Sequence, residues 1–577
     1  MAEEVPKTES KVEGVKKSSR HLRGKIAETM AAGATHFTEE DVTLLKFHGV
    51  YQQDDRDVRH ERRKAKLEDA HMFMVRCAIP AGVLTSAQLL SLLDIADKYA
   101  NGTLRVTTRQ GFQFHGVLMN HLKKNIAGIN KALITTLSAC GDVERNVMAC
   151  AAPLPDAAHV LVRKIAREIA TQLRPATHAY HEIWLDEEKQ VSTEQEEPFY
   201  GDHYLPRKFK TAIAMADDNC VDVYNNDAGL IAIVDGDKVA GFNVLVGGGM
   251  GMTHGKADTV ARLAEPVGFV GPEHAVEAIR TIVAIFRDFG NRADRRHARI
   301  KYLINERGIE WFRDEFRRRA LFDLHGSRSL PRPVFHDHLG RHSQGDGQWF
   351  YGIYIENGRI ADREGRQMKT ALRTIADRFS PSITLTAQQN MLFTGLTENA
   401  VDEIERILKN NGVKSADQLS AVRRFSMACP ALPTCGLAMA ESERLMPNVV
   451  DMFEHELTLL GLRDVPLTMR MTGCPNGCAR PYTADISFVG RRPDVYHVYV
   501  GGGMEGDRAV DLFAADVAVA DLVSLLRPLL QKYATSRRSG ESLSDFYQRL
   551  LNRSETRTFI SGRETPTRDL VQLAISK

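Results

Sequence analysis

Two close pairs of cysteines carry the sharpest chemical signal in the sequence: Cys429 and Cys435 in MACPALPTC, then Cys474 and Cys478 in TGCPNGC. Four thiolates delivered as two pairs on separate loops are the ligand set of a cubane iron–sulfur cluster. The spacings, C-x5-C and C-x3-C, differ from the C-x2-C knuckle of most structural zinc sites. On spacing alone, zinc ligation and plain burial of unreactive thiols stay open. Pro430, Pro433, Gly473, Pro475 and Gly477 bend the backbone around each pair, so that sulfurs converge and amides point at them. Cys77, Cys140, Cys150 and Cys220 stand alone and are expected to be small buried hydrophobes.

The second signal is a concentration of cations. Arg76, Arg105, Arg109, His115 and Arg145 lie in the first part of the chain, followed by Arg207, Lys208 and Lys210 in YLPRKFKTAIA. Lys208 and Lys210 are two apart on a strand-like segment and so project to one face. An exposed polar strand would explain them singly; with the arginines they form a candidate anion site.

The elements that must position these groups occur twice. HMFMVRCAI predicts a strand, Ser86–Ala100 an amphipathic helix, and TLRVTTRQGFQFHGV a strand pair. WFYGIYIENGRI, a helix over 367–379 and SITLTAQQNMLFTG repeat that order. Leu104–Gly116 and Ile383–Gly395 stand 279 residues apart, and Cys150 falls opposite Cys429 at the same offset. FNVLVGGGMG echoes YHVYVGGGMEG at a shorter offset. The chain is a duplicated unit. Where the first copy has Arg76, Arg105, Arg109, His115 and Arg145, the second has Ile355, Thr384, Gln388, Thr394 and Arg424. One half supplies cations and the other the metal ligands, so a site between them would join an anion pocket to an electron source.

GGGMEG at 501–506 matches a dinucleotide fingerprint, but its counterpart GGGMGM breaks the pattern. Both turns are better suited to close backbone approach to a flat ligand or a cluster. The 577 residues suit three or four domains of ordinary globular composition. A net charge of +2 gives no field for nucleic acid, and no apolar run is long enough for a membrane. The polar N-terminus and the free cysteines point to a reducing cytoplasm. Residues 1–20 read as a disordered arm. LLKFHGVYQQDDRDVRHERR reads as an extended segment wrapping another surface.

TTRQGFQFHG, YLPRKFKT, GFNVLVGGG, GNRADRRHARIKY, SMACPALPTCGLAMAESER and TGCPNGCAR together resemble the siroheme-containing sulfite and nitrite reductases, NADPH-type sulfite-reducing haemoproteins above all. The likeness covers nearly the whole chain beyond about residue 20. It implies that Cys429, Cys435, Cys474 and Cys478 hold a [4Fe–4S] cluster, with Cys478 shared with the siroheme iron. It implies that Arg76, Arg145, Lys208 and Lys210 bind the substrate anion. Arg105, Arg109, Gln113, His115, Arg207 and Asn476 are its candidates for siroheme contacts. Gly111 and Gly436 depart from residues common in the family, Thr and Pro, without removing a ligand. The implied activity is six-electron reduction of sulfite to sulfide, with electrons from a diflavin NADPH-dependent reductase that residues 1–65 help to dock. A siroheme nitrite reductase, a ferredoxin-dependent sulfite reductase and a non-catalytic electron carrier are the competing readings. The expected fold is α+β with pseudo-twofold symmetry: an arm (1–69), two ferredoxin-like halves (70–138 and 340–418) forming one domain, a siroheme and anion domain (139–339) and a cluster domain (419–577).

Overall fold

The computed structural model describes residues 8–187, 196–553 and 556–576. Its framework is two pairs of matching five-stranded sheets.

The first pair forms the ferredoxin-like part, and each of its sheets borrows a strand from the other half of the chain. Val50–Asp54, His71–Arg76, Phe112–Val117 and Leu104–Val106 take the second-half strand Arg359–Ile360 at their edge. Gly340–Ser343, Trp349–Ile353, Met391–Leu396 and Ser382–Leu385 take the first-half strand Val83–Thr85. This exchange locks the halves together through backbone hydrogen bonds. The helices Ser86–Tyr99 and Met368–Phe379 pack on one another between them. Thr85 and Gln88 close a capping box at the first of these helices, and Leu89, Leu92, Leu93 and Ala96 give it a buried stripe at helical spacing.

The second pair carries the chemistry. Met148–Ala149, Thr211–Met215 and Ala228–Asp235 run parallel, and Lys238–Val246 and Glu265–Val270 continue antiparallel. Ser426–Ala428, Met469–Thr472, Ile486–Arg492, Val495–Val500 and Asp511–Ala518 repeat that order and those directions. Burial on both faces explains the apolar run TAIAM, while its equally buried counterpart MRMT carries Arg470, whose charge is met by Asp222. One apolar core runs from Leu22 to Val413 and a second from Val422 to Val571. Met250, Met252, Tyr482 and Tyr499 belong to a third cluster, which joins the loop after Lys238–Val246 to the second of these sheets.

The N-terminal expectation needs correction. Residues 1–7 lie outside the described residues, but Lys11–Lys17 is a helix bound to its own chain. Glu13 and Lys16 on it are buried; Glu13 pairs with Arg292 at 2.5 Å, and Lys16 donates to Leu205 O at 2.8 Å. Two buried charges with partners 279 and 189 residues away are not a solvated tail. The segment after it wraps a surface of this same chain. Val50–Asp54 joins the first sheet, and Arg56 Nη1 donates to Cys435 O at 3.0 Å, clasping the cysteine loop. The second glycine-rich turn leads into the strand Asp511–Ala518 rather than a helix, so it lacks the helix N-terminus that a dinucleotide fold needs.

Candidate functional site

The four cysteines lie on the loops that leave two neighbouring parallel strands. Ser426–Ala428 leads into Cys429, and Met469–Thr472 leads into Cys474. Ser442 fixes the first loop: its hydroxyl accepts from Cys429 N at 3.2 Å and donates to Met471 O at 2.8 Å. Gly473 N points at Cys429 Sγ at 3.4 Å, and Asn476 Nδ2 at Cys474 Sγ at 3.5 Å. A Cβ at Gly473 would meet Ala440 O at 2.5 Å, so only glycine fits there. Gly477 has φ +63°, a conformation that lets the loop turn back to present Cys478. Cys429 and Cys474 are buried, while Cys478 is exposed.

Among the described residues, no three of these sulfurs close to within 4.8 Å of one another, as ligands of a single ion must. A cubane holds its thiolates farther apart, at its outer corners, so this arrangement fits the cluster better than zinc. Burial, with the neighbouring Cys478, pushes the Cys474 thiol up to about 12. As a cluster ligand, Cys474 would give up that proton on binding iron.

Cys478 opens into a cavity between the two halves. The first half lines it with Thr108, Arg109, Met148, Lys208, Lys210 and Arg299, and the second with Asn476, Gly477, Cys478 and Arg480. The halves are latched at its edge. Thr108 Oγ1 donates to Cys478 O at 3.1 Å, and Arg480 Nη1 donates to Thr108 O at 2.8 Å. Buried Asp222 holds Arg480 at 2.5 Å and Arg470 at 3.0 Å.

The cations differ in how far their charge is spent. Arg299 is paired bidentately with Asp227 at 2.7–2.8 Å. Arg109 donates to Asn226 Oδ1 at 2.8 Å and to Thr211 O at 3.2 Å, but its Nε has no partner. Lys208 and Lys210 have no hydrogen-bond or ion-pair partner among the described residues. Their half-exposed side chains line the cavity. Both are held well below the ordinary lysine range, first by burial, then for Lys208 by Arg207 and Arg145 and for Lys210 by Lys208 and Arg109. Unspent donors around an open sulfur fit a polycarboxylate macrocycle with a small anion beside it.

Of the other expected residues, Asn476 lines the cavity and Arg207 stands 3.6 Å from Asp142, while Arg145 donates to Gly141 O at 3.1 Å. Arg76 stands over Tyr51, with Nη1 3.2 Å from Cys140 Sγ. Gln113 lies between Arg76 and Arg105, accepting from Arg76 Nε at 3.1 Å when its carbonyl faces that way. Arg105, expected among the siroheme contacts, is engaged within the protein: its Nε pairs with Glu443 at 2.8 Å and its Nη2 donates to Ala428 O at 2.9 Å, tying the halves together. His115 lies beneath it, buried and kept neutral by burial and by Arg359, Arg105 and Arg76, with both ring nitrogens unpartnered.

Arg299, Arg480, Asp222 and Thr108 were not singled out from the sequence. Arg480 lies two residues past Cys478, and Arg299 sits in the cation-rich GNRADRRHARIKY, which were the available signals.

Behind the lysines, buried Glu144 accepts from Thr211 Oγ1 at 2.9 Å, and its other oxygen has no partner. Burial pushes its carboxyl up to about 8, against the pull of Arg109. The folded state thus retains a proton that the unfolded chain releases near pH 4.5. This stability is complete below that pH and is lost as pH rises through about 8. Glu144→Gln is expected to gain on the parent by a few kcal/mol (about 1.4 per pH unit) between pH 5 and 8.5 in urea unfolding. Parallel pH profiles for parent and variant would contradict this.

Known proteins match this geometry. Residues 166–322 and 421–550 match the nitrite and sulphite reductase 4Fe-4S domain, and residues 65–132 and 341–411 the nitrite/sulfite reductase ferredoxin-like half domain. The chain is 44% identical over 544 residues to the sulfite reductase [NADPH] hemoprotein beta-component of Staphylococcus saprophyticus, covering 93% of this chain and 95% of that one. It is 46% identical over 545 residues to the protein of the same name from Myxococcus xanthus, covering 94% and 97%. The structure of the Mycobacterium tuberculosis NirA protein superposes with a TM-score of 0.75 at 25% identity, covering 93% of this chain and 95% of that one. Matching family domains over most of its length and relatives aligned nearly end to end show that the chain belongs to the nitrite and sulfite reductase family.

Proposed function

We propose that this chain is the haemoprotein component of an assimilatory sulfite reductase, taking sulfite to sulfide with electrons from an NADPH-dependent flavoprotein. The observation that carries the reading is the exposed Cys478 sulfur facing a cavity it shares with two unpaired lysines. Cys429, Cys435, Cys474 and Cys478 hold a [4Fe–4S] cluster, and Arg109, Asn476 and their neighbours hold siroheme beside Cys478. When bound, these groups supply stored electrons and an open iron coordination position.

The chain's own residues do the rest. Lys208 and Lys210 neutralise the sulfite charge and aim N–H donors at its oxygens, with Arg76 and Arg145 adding positive charge. Each oxygen leaves as water and needs two protons, which the lysine Nζ groups hand over. Their lowered affinity for a proton makes them better acids than free lysine. The Arg480–Asp222 pair and Thr108 keep the halves in register, so that donors and sulfur face one space.

The flavoprotein is of the diflavin type, and the complex is cytoplasmic; no helix among the described residues is long and apolar enough to cross a membrane. With residues 8–54 largely bound into their own fold, docking falls to the exposed basic helix Arg59–Lys64. The test is sulfide release from sulfite, driven by NADPH and the flavoprotein, with nitrite compared. A kcat/KM for sulfite above that for nitrite is expected; a large preference for nitrite would reassign the substrate.

A further inference from the structure

The first half of the chain holds a second convergence of metal-ligand side chains, away from the four cluster cysteines. Cys150, Asp218, Cys220 and His338 each offer one ligand atom, all within 4.8 Å of one another, and all four residues are buried. Cys150 Sγ lies 3.5 Å from Cys220 Sγ and 3.3 Å from Asp218 Oδ2. His338 Nε2 is 3.1 Å from the same Asp218 oxygen. A tetrahedral zinc with sulfur at about 2.3 Å and nitrogen or oxygen at about 2.0–2.2 Å sets ligand edges of about 3.3–3.8 Å. The observed separations need only open by a few tenths of an ångström to admit the ion. Asp218 is also oriented for this role. Its Oδ1 accepts from Cys220 N at 3.0 Å and His336 N at 3.4 Å, leaving Oδ2 turned inward. Among the described residues no lysine or arginine pairs with it.

The internal duplication points to the same place independently. Cys150 follows the strand Met148–Ala149 as Cys429 follows Ser426–Ala428, 279 residues later. The strands Thr211–Met215 and Ala228–Asp235 match Met469–Thr472 and Ile486–Arg492 at an offset of 258 residues, which sets Cys220 on Cys478 and Asp222 on Arg480. Asp222 and Arg480 share a left-handed backbone, φ +48° and +52°, and each opens a short helix before its strand. Two thiols thus stand in the first half where two cluster ligands stand in the second. The positions matching Cys435 and Cys474 are Asp156 and Ala216, so a cubane has lost half its ligands there. Asp218 and His338 restore a set of four around a smaller volume.

We propose that Cys150, Asp218, Cys220 and His338 bind one zinc ion, a structural site at the pseudo-twofold counterpart of the iron–sulfur cluster. Two thiolates, an imidazole and a carboxylate suit zinc by softness and coordination number. The ion ties three segments together. Cys150 is two residues from Met148, which lines the cavity; the loop of Asp218 and Cys220 carries Asp222, which holds Arg480; His338 lies on the connection into the second half. Cys150 and Cys220 are buried, as expected, but they do not stand alone: distant in sequence, they meet because the strands beside them are neighbours in one sheet.

Metal analysis of the cofactor-loaded protein, purified without chelators, tests this. About one zinc per chain is expected beyond the iron, with zinc-edge absorption showing two sulfurs at about 2.3 Å and two lighter ligands at about 2.0 Å. Cys150→Ala and Cys220→Ala are expected to lose the zinc while keeping the iron content and the visible spectrum. If either variant fails to fold, the parent's zinc content and ligand distances decide alone. Zinc below about 0.1 per chain, even after incubation with zinc chloride, would overturn the proposal, as would a Cys150–Cys220 disulfide in peptide mapping.

Discussion

Replacing Cys478 by serine is expected to lower sulfite turnover by at least about 1000-fold, a barrier increase of about 4 kcal/mol. Two features of the structure and one of the ligand chemistry give that size. Cys478 is the one exposed member of the four-cysteine set, so it alone belongs both to the cluster loops and to the cavity. Its loop is held from the opposite half through Thr108 and Arg480, so a smaller, harder oxygen cannot be followed by the backbone to recover a bond. A serine hydroxyl is also far less acidic than a thiol and a poor ligand for iron–sulfur clusters. Sulfide release driven by a chemical reductant, which bypasses the flavoprotein, isolates the effect. A Cys478→Ser protein working at the parental rate would mean that this sulfur is not the junction between electron source and substrate.

Lys210→Ala should also cost about 100-fold or more in sulfite turnover, while iron content and visible spectrum stay those of the parent. Lys210 has no partner among the described residues, so its removal breaks no hydrogen bond of the fold. Its neighbours Lys208 and Arg109 remain to hold charged groups in the cavity. Lys210→Arg separates charge from proton delivery. Arginine keeps the cation but holds its proton too tightly to give it up, so KM for sulfite should recover while kcat stays low. The pH dependence has a definite sign. Burial and adjacent cations depress the lysine's proton affinity, so the charged form is lost at lower pH than the usual value of about 10.4. In the parent, KM for sulfite should therefore begin to rise at a pH well below the ordinary lysine value, and that rise should be weakened in Lys210→Arg. Full activity in Lys210→Ala would place the anion elsewhere.

The duplication was open to reading because strand and turn residues recur at fixed offsets, and the matching sheets follow it closely. The cysteine pairs were readable because loop chemistry concentrates in a few proline- and glycine-flanked residues. Arg105 could not be judged that way: a buried arginine looks the same in sequence whether it faces a ligand or Glu443. Asp222 was hidden for a similar reason. Its partners Arg470 and Arg480 lie some 250 residues away, and only the assembled sheets bring them within bonding distance. The same holds for Asp218 and His338, which no spacing rule connects to Cys150 and Cys220. The N-terminal helix misled because its composition is that of a solvated tail, whereas Glu13 and Lys16 satisfy one another and are buried as a pair.

The most direct test of the central claim is a visible spectrum with iron and acid-labile sulfide analysis, on protein from cells able to make siroheme. The cavity beside Cys478 and the four cluster cysteines predict macrocycle bands with about five irons and about four sulfides per chain. Protein that binds iron and sulfide but shows no macrocycle band, or that stays colourless, would contradict it.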